Sequence, residues 1–242
     1  MGVIETLVPR FIAFFGPDGT GKSTHANLLL NQFKANEAKV RKVWIRSPHT
    51  LAYLLSRLLM KIGFSRKVTN PYGRETTIPA VHKSRWLRFL WPWVELAGVL
   101  PVILFRVYIP LHLGYTLVAE RYVVDTIVTI AYFTNDLSFL QSRTAKILLR
   151  FIPENTIFIH LDSNYAALMK RRNRTVEPYS VIEFQKAGYK MIGNSLGAKC
   201  IDTSNLSIHQ VSSQIMDWLR AYQLFGARID QSVWIHNKPT TS

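Results

Sequence analysis

A glycine-rich segment near the start of the chain has the residue types and the spacing of a phosphate cradle. It matches the pattern G-x-x-x-x-G-K-[ST] with Gly16, Pro17, Asp18, Gly19, Thr20, Gly21, Lys22 and Ser23, followed by Thr24. Gly19 and Gly21 let the chain curl so that its N–H groups point inward at a phosphate. Lys22 would supply positive charge to the β- and γ-phosphates of a nucleotide, and the Ser23 hydroxyl would ligate Mg²⁺. These residues therefore predict a binding site for ATP and Mg²⁺.

Further charged residues follow a predicted strand or end a predicted helix. Arg46 comes just after the second strand, where its guanidinium can bind the phosphate of an acceptor with two hydrogen bonds. Arg171, Arg172 and Arg174 cluster at the end of a helix, and such a cluster can close over a transferring phosphoryl group and stabilise its charge. A solvated basic helix end is the alternative interpretation of this cluster.

Short apolar runs alternate with helical periodicity along the chain. The pattern predicts strands at 11–15, 40–45, 115–119, 156–161 and 199–202. It predicts helices at 21–33, 51–62, 86–114, 125–133, 139–151, 164–172, 180–192 and 208–222, with a long loop at 65–84. This alternation indicates an α/β fold of the P-loop NTPase type, with three layers: a parallel sheet of about five strands and helices on both faces. We expect one domain over 1–242, with a core at about 10–222, a lid at about 170–180 and a polar tail at 226–242.

The composition is that of a globular protein with an unusual excess of positive charge. Hydrophobic residues make up 48% of the 242 residues and charged residues 19%, while 30 Lys and Arg against 15 Asp and Glu give a net charge of +15. This excess attracts polyanions but names no particular partner. The single cysteine, Cys200, allows no intrachain disulfide, and we expect it to be buried in a strand. No signal peptide is evident, so we expect a cytoplasmic protein.

The most apolar segment runs from Trp86 to Val118 and carries only the charges of Arg88, Glu95 and Arg106. Its longest uncharged stretch before Arg106 is much shorter than the roughly 20 residues of a membrane-spanning helix, and Pro92, Pro101 and Pro110 interrupt the segment. We expect a buried helix or a subunit-interface helix here, with homodimerisation through 91–105. A Trp-rich apolar surface beside basic residues leaves peripheral membrane contact open.

Several of these motifs together resemble the thymidylate kinases, over about 10–222. The family has G-x-D/E-G-x-G-K-S/T at the cradle, R-E-P-G-G-T where this chain has Arg46-Ser47-Pro48-His49-Thr50, and D-R-Y where it has Glu120-Arg121-Tyr122. The resemblance implies that Asp18 accepts a hydrogen bond from the acceptor's sugar, and that Arg46 and Arg121 bind phosphate. It implies that Glu120 holds the Mg²⁺ shell or lies near the attacking oxygen. It also implies a catalytic lid bearing Arg171, Arg172 and Arg174.

This chain departs from the family pattern at several of these positions. Glu120 replaces an aspartate, and deoxynucleoside kinases have a related E-R-S motif there. Asp125 and Ile130 stand where the family has the Ser and Gln that help to read thymine, so Asp125 becomes the candidate acceptor ligand. Gly19 stands where some members have a catalytic arginine, which leaves that charge to the lid.

Three functions follow from these residues. The first is a nucleoside monophosphate kinase using ATP, with dTMP to dTDP as the expected reaction and nucleic acid not expected as a partner. The second is a kinase of a deoxynucleoside or another small acceptor. The third is a non-catalytic P-loop protein that binds nucleic acid or a membrane surface through its +15 charge.

Overall fold

The chain folds around a five-stranded parallel sheet. The computed structural model describes residues 9–225, apart from the side chains of Arg174 and residues 223–225. The sheet is formed by β1 (Phe11–Phe15), β2 (Val40–Trp44), β5 (Thr116–Arg121), β6 (Thr156–Asp162) and β7 (Lys199–Asp202). The strands lie in the order β2-β5-β1-β6-β7, and every neighbouring pair is parallel. The predicted parallel sheet of about five strands is confirmed.

Helices connect the strands and cover both faces of the sheet. They are α1 (Lys22–Ala35), α2 (Thr50–Lys61), α3 (Arg85–Ile103), α4 (Ile109–His112), α5 (Val123–Thr134), α6 (Arg143–Leu149), α7 (Tyr165–Arg172), α8 (Tyr179–Ser195) and α9 (Ile208–Phe225). The predicted helix at 139–151 is wrong in part. A 3₁₀ turn at Leu137–Gln141 comes first, and α6 begins only after Ser142, whose hydroxyl accepts from the Ala145 N–H.

The central strand β1 shows why the fold has three layers. Its side chains alternate between the two faces of the sheet, and all five residues are buried. Phe11 and Phe15 join the larger core beneath α3, α5 and α8. Ile12 and Phe14 join a second core with residues of α1 and α9. A strand buried on both faces reads as an unbroken apolar run, which is the pattern that predicted it.

The segment at 65–84 is not a loop. It forms an antiparallel hairpin of β3 (Ser65–Thr69) and β4 (Glu75–Pro79), followed by a 3₁₀ turn at Val81–Lys83. Neither strand shows the alternation of apolar and polar residues that marks a half-buried strand, since both are largely polar and only Pro79 is fully buried. The hairpin is therefore hidden from a reading of hydrophobic periodicity.

The exposure of Cys200 differs from the prediction, and the position of its strand at the edge of the sheet explains the difference. Cys200 lies in β7, as predicted, but its side chain is exposed rather than buried. β7 is the last strand in the sheet order, so it has a neighbour on one side only.

The apolar segment forms one long helical element that is packed against the core along one side. α3 continues through a π-helical turn (Leu104–Tyr108) into α4, and the stretch Arg85–His112 has 28 residues, with a mean hydropathy of 1.8 in its most apolar 18-residue window. Its length and composition are sufficient to cross a membrane, and 39% of its most apolar window is buried within the protein. Trp91 is wholly buried in the larger core. The Thr50 hydroxyl donates to the Gly98 carbonyl, and the Glu95 carboxylate accepts from the His49 N–H at 3.3 Å.

Candidate phosphate-binding site

The predicted functional residues meet at one edge of the sheet. The glycine-rich loop (residues 16–23) follows β1, Arg46 follows β2, and Glu120 and Arg121 end β5. Because all five strands are parallel, their carboxyl ends share this edge, where ligands bind in open α/β sheets. Glu120 and Arg121 are successive strand residues and point to opposite faces. Glu120 is directed toward α1, and Arg121 toward α5.

The glycine-rich loop has a backbone that only glycine adopts readily. Gly16, Gly19 and Gly21 have φ values of 135°, 94° and 93°, in the region that side chains with a Cβ rarely occupy. A Cβ at Gly16 would collide with the carbonyl oxygen of Leu161. Within residues 9–225, no carbonyl or side chain accepts from the backbone N–H of Gly19, Thr20 or Gly21. These free donors point to an anion as the missing partner.

Substitution of Gly19 by alanine tests the loop geometry. A Cβ there would come within 2.8 Å of the Arg172 Cγ and 3.3 Å of a Leu168 methyl, in addition to the backbone strain. We expect the free energy of unfolding to fall by about 2–4 kcal/mol, measured by chemical denaturation. Gly63→Ala is the matched control, because Gly63 also has positive φ but faces open space, so its loss should be about 1 kcal/mol. Equal losses at both positions would contradict the close approach of Arg172.

Lys22 begins α1 and is buried with only 4% of its surface exposed. Its Nζ donates to the Pro17 carbonyl at 2.6 Å and lies 3.7 Å from the Asp18 carboxylate. Burial lowers the pKa of Lys22 to about 8, although Asp125 and Glu120 oppose the shift. A desolvated ammonium held inside the loop is prepared to bind a phosphate strongly, because little water remains to be displaced.

Ser23 and Glu120 form a pair suited to Mg²⁺. The Ser23 hydroxyl donates to one Glu120 oxygen, and Lys42 Nζ lies 2.6 Å from the other. Partial burial would raise the pKa of Glu120, but the hydrogen bonds from Lys42 and Ser23 outweigh it and lower the pKa. The carboxylate is thus ionised beside a hydroxyl, and Mg²⁺ prefers such oxygen ligands. These two residues fit the metal, with phosphate oxygens and water left to complete its shell.

Four cationic side chains converge on the Asp18 carboxylate. Arg121 Nη2 donates to it directly. Arg46 Nη2 and Arg172 Nη1 each lie 3.6 Å from Oδ2, and Lys22 Nζ lies 3.7 Å from Oδ1. They come from four separate elements and give this end of the loop an excess of positive charge. Asp18, together with Asp125 beside Arg121, supplies two negative charges against four cations, so the cluster retains capacity for further anionic groups.

Asp125 is beneath the site rather than in it, which changes its predicted role as an acceptor ligand. The side chain is fully buried in α5, and its Oδ1 lies 2.5 Å from Arg121 Nη1. Tyr189 donates its hydroxyl to the same oxygen at 2.9 Å, and burial raises the pKa of Tyr189, which keeps that proton in place. Asp125 therefore orients the Arg121 guanidinium, whose other nitrogen reaches Asp18.

The three arginines of the predicted lid are in different positions. Arg172, at the end of α7, extends its stem across Gly19 and its guanidinium toward Asp18. Arg171 lies between the phosphate loop and the loop after β7: its Nη1 donates to the Thr203 hydroxyl at 2.9 Å and to the Gly19 carbonyl at 3.5 Å, and its Nη2 donates to the Thr203 carbonyl. The side chain of Arg174 lies outside the described part of the structure. Arg172 is thus the arginine placed above the phosphate loop, and Arg171 ties α7 to the loop after β7.

These elements surround a cleft of about 580 Å³. Its charged end is the glycine-rich loop with Glu120, Arg121, Arg171 and Arg172. Its other end is lined by Leu206, Ile208 and Val211, which lie before and within α9. A cleft with a charged end and an apolar end matches a phosphate chain attached to a flat apolar ring.

Two supporting residues were missed by the reading of the sequence. Lys42 reaches Glu120 from β2, and Tyr189 reaches Asp125 from α8. Lys42 lies three residues before the end of the predicted strand 40–45, and a cation so near the carboxyl end of a strand offered a weak signal that it could reach the site.

The parallel sheet, with a glycine-rich phosphate loop between its first strand and first helix, defines a three-layer α/β protein of the P-loop type. No protein-family model and no curated protein sequence matches this chain. Among solved structures, the fold is similar to that of thymidylate kinase from Candida albicans, with a TM-score of 0.54 and 16% sequence identity. The similarity covers 88% of this chain and 92% of that one. At this identity the likeness establishes a thymidylate kinase-like fold.

Proposed function

We propose that this chain is a nucleotide kinase that transfers the γ-phosphoryl group of Mg·ATP to a nucleoside monophosphate, with dTMP to dTDP as the first candidate reaction. The observation that carries the proposal is the convergence of Lys22, Arg46, Arg121 and Arg172 at Asp18. Phosphoryl transfer demands little covalent chemistry from a protein beyond alignment and concentrated positive charge. The thymidylate kinase-like fold supports the same class of reaction.

The side chains form two groups, one placed to bind ATP and the other placed to bind the acceptor. Lys22 and the free N–H groups of the loop bind the β- and γ-phosphates of ATP, and the apolar end of the cleft takes its base. Arg46 and Arg121, from the ends of β2 and β5, bind the phosphate of the acceptor. Arg172 covers the position between them and stabilises charge on the transferring group. Mg²⁺ held by Ser23 and Glu120 would neutralise phosphate charge when bound.

A kinase of deoxynucleosides is the second candidate, favoured by one observation. Glu120 precedes Arg121 as in the E-R-S motif of that group, and the structure places Glu120 in contact with Ser23. A nucleoside acceptor carries no phosphate, however, and would leave Arg46 with only the Asp18 carboxylate, which it shares with three other cations. Arg46 therefore favours a phosphorylated acceptor.

A panel of acceptors distinguishes these functions. We expect ADP release from Mg·ATP with at least one nucleoside monophosphate and little or none with the matching nucleosides, measured by a coupled ADP assay. Arg46→Ala is expected to raise the KM of the monophosphate about tenfold or more while changing the KM of ATP little. The neighbouring exposed Arg41→Ala is the control. Activity with nucleosides alone would support the second candidate, and ATP binding without ADP release would indicate a non-catalytic P-loop protein.

A further inference from the structure

The long helical segment 85–112 has an outward side that is largely apolar and carries three exposed arginines. Trp86 is 83% exposed and Phe105 is 65% exposed. The exposed large apolar side chains of the segment recur at helical spacing, and they are Trp86, Phe89, Leu90, Trp93, Leu104, Phe105 and Ile109. Its inward side is apolar as well and packs in the larger core. A helix that is apolar on every side is normally covered on every side by other parts of a protein. Segment 85–112 is covered only on its inward side.

α2 adds a second exposed apolar row beside the first. Its outward residues Leu51, Leu54, Leu58 and Ile62 are all more than half exposed. α2 packs against α3, so the two rows belong to neighbouring helices of the same layer. We call the exposed apolar side chains of α2 and of segment 85–112 the apolar face. Soluble monomers rarely expose a continuous apolar surface of this extent without a partner.

The same part of the chain carries most of the excess positive charge. Residues 38–119 contain 13 Lys and Arg but only two acidic residues, Glu75 and Glu95. Glu75 is paired with Lys67 at 2.7 Å, and Glu95 is wholly buried. The basic side chains beside the apolar face are exposed, and they are Arg57, Lys61, Lys83, Arg85 and Arg88. Among residues 38–119, the apolar face therefore has a basic border in which no carboxylate is both exposed and unpaired.

We propose that the apolar face docks on the surface of an anionic lipid bilayer. Tryptophan, phenylalanine and leucine on one side of a helix, bordered by lysine and arginine, are the features of a helix that lies in a membrane interface. Anionic headgroups complement the basic border. A second copy of this chain complements the border less well, because a two-fold interface brings together two copies of the same patch and supplies no exposed, unpaired carboxylate from residues 38–119.

The contacts of α3 determine how the protein lies on the bilayer. Trp91, Val99 and Val107 are wholly buried on the inward side, and Glu95 and Gly98 are bonded to the start of α2. Crossing the bilayer would expose Glu95 to hydrocarbon and break these contacts. The helix therefore lies parallel to the surface, with only its outward residues entering the headgroup region. This docking depends on the exposed surface and not on the proposed kinase reaction.

Flotation of the full chain with vesicles tests the docking. We expect the protein to float with vesicles of phosphatidylcholine containing about one third phosphatidylglycerol at physiological salt, and to remain at the bottom with phosphatidylcholine alone. Raising the salt to about 1 M should release most of the bound protein, since exposed charges are screened within a few ångströms at that ionic strength.

Paired variants show whether the apolar face and its border are responsible. Arg85→Gln together with Arg88→Gln should lower the partition coefficient about 30-fold, because each basic side chain near the surface contributes about a fivefold factor. Phe89→Ser together with Phe105→Ser should lower it by at least the same factor. The matched controls on α8, Lys190→Gln and Met191→Ser, involve exposed residues away from the apolar face and should bind as the unaltered chain does. Circular dichroism checks that all variants remain folded.

Three outcomes would overturn the proposal. The first is absence of flotation with anionic vesicles. In that case, a dimer observed by sedimentation equilibrium and dissociated by Phe105→Ser would assign the apolar face to a second copy of the chain. The second is flotation that the four substitutions in segment 85–112 leave unchanged. The third is protein that resists both 1 M salt and alkaline carbonate, which would indicate a spanning helix rather than a docked one.

Discussion

Replacing Lys22 by methionine is expected to lower turnover with Mg·ATP by about 10²- to 10³-fold. The methionine keeps the buried stem but removes the one ammonium inside the phosphate loop, where a charge in a site of low dielectric has its largest effect. Steady-state kinetics with the acceptor found in the panel would measure the loss. Lys34→Met is the matched control, because Lys34 is exposed in the last turn of the same helix. A loss below tenfold would remove Lys22 from the mechanism.

The same lysine predicts a pH profile. Burial lowers the pKa of Lys22 to about 8, so the ammonium is present below that pH and is progressively lost above it. Since kcat/KM reports the free enzyme, its value for Mg·ATP should fall toward a tenfold decrease per pH unit above about 8. Bound phosphates favour the ammonium and should keep kcat flat over the same range. In Lys22→Met this fall in kcat/KM should disappear, and its persistence would assign the titration to another group.

Sequence reasoning located the parts of the site that are local and missed those that depend on strand pairing. The phosphate loop was predictable because its glycines, lysine and serine act within eight consecutive residues and need only a strand before them and a helix after them. The partner of Glu120 was not predictable, because Lys42 reaches Glu120 only when β2 pairs with β5, and the two residues are 78 positions apart in the sequence. The pattern of residues near Lys42 indicates a strand but not its neighbour.

Side-chain direction was also beyond the sequence. Asp125 was predicted to face the acceptor because it follows the D-R-Y-like motif, but on α5 it turns inward to Arg121 and Tyr189. The hairpin at 65–84 was missed for a different reason: its polar strands bury too little to leave a periodic pattern. In both cases tertiary contacts decide what local propensity leaves open.

The second large loss of activity is expected from Arg172, one of the two adjacent arginines at the end of α7. Arg172→Ala is expected to lower kcat by about 10³-fold, with the KM of ATP changed less than about threefold. An arginine that stabilises charge on a transferring phosphoryl group acts mainly in the transition state, and losses of that size are typical of such a residue. The structure supports this role because the Arg172 stem lies against Gly19 and its guanidinium lies 3.6 Å from Asp18.

Arg171→Ala provides the comparison within the same helix. Its guanidinium is committed to the hydroxyl and carbonyl of Thr203, at the loop after β7, so its loss should loosen the part of the cleft that receives the base of ATP. We expect the KM of ATP to rise about tenfold and kcat to fall by less than tenfold. Single-turnover measurements with saturating ATP would separate the phosphoryl-transfer step from binding and product release. A larger loss of kcat in Arg171→Ala than in Arg172→Ala would contradict this assignment and would give the transition-state role to Arg171.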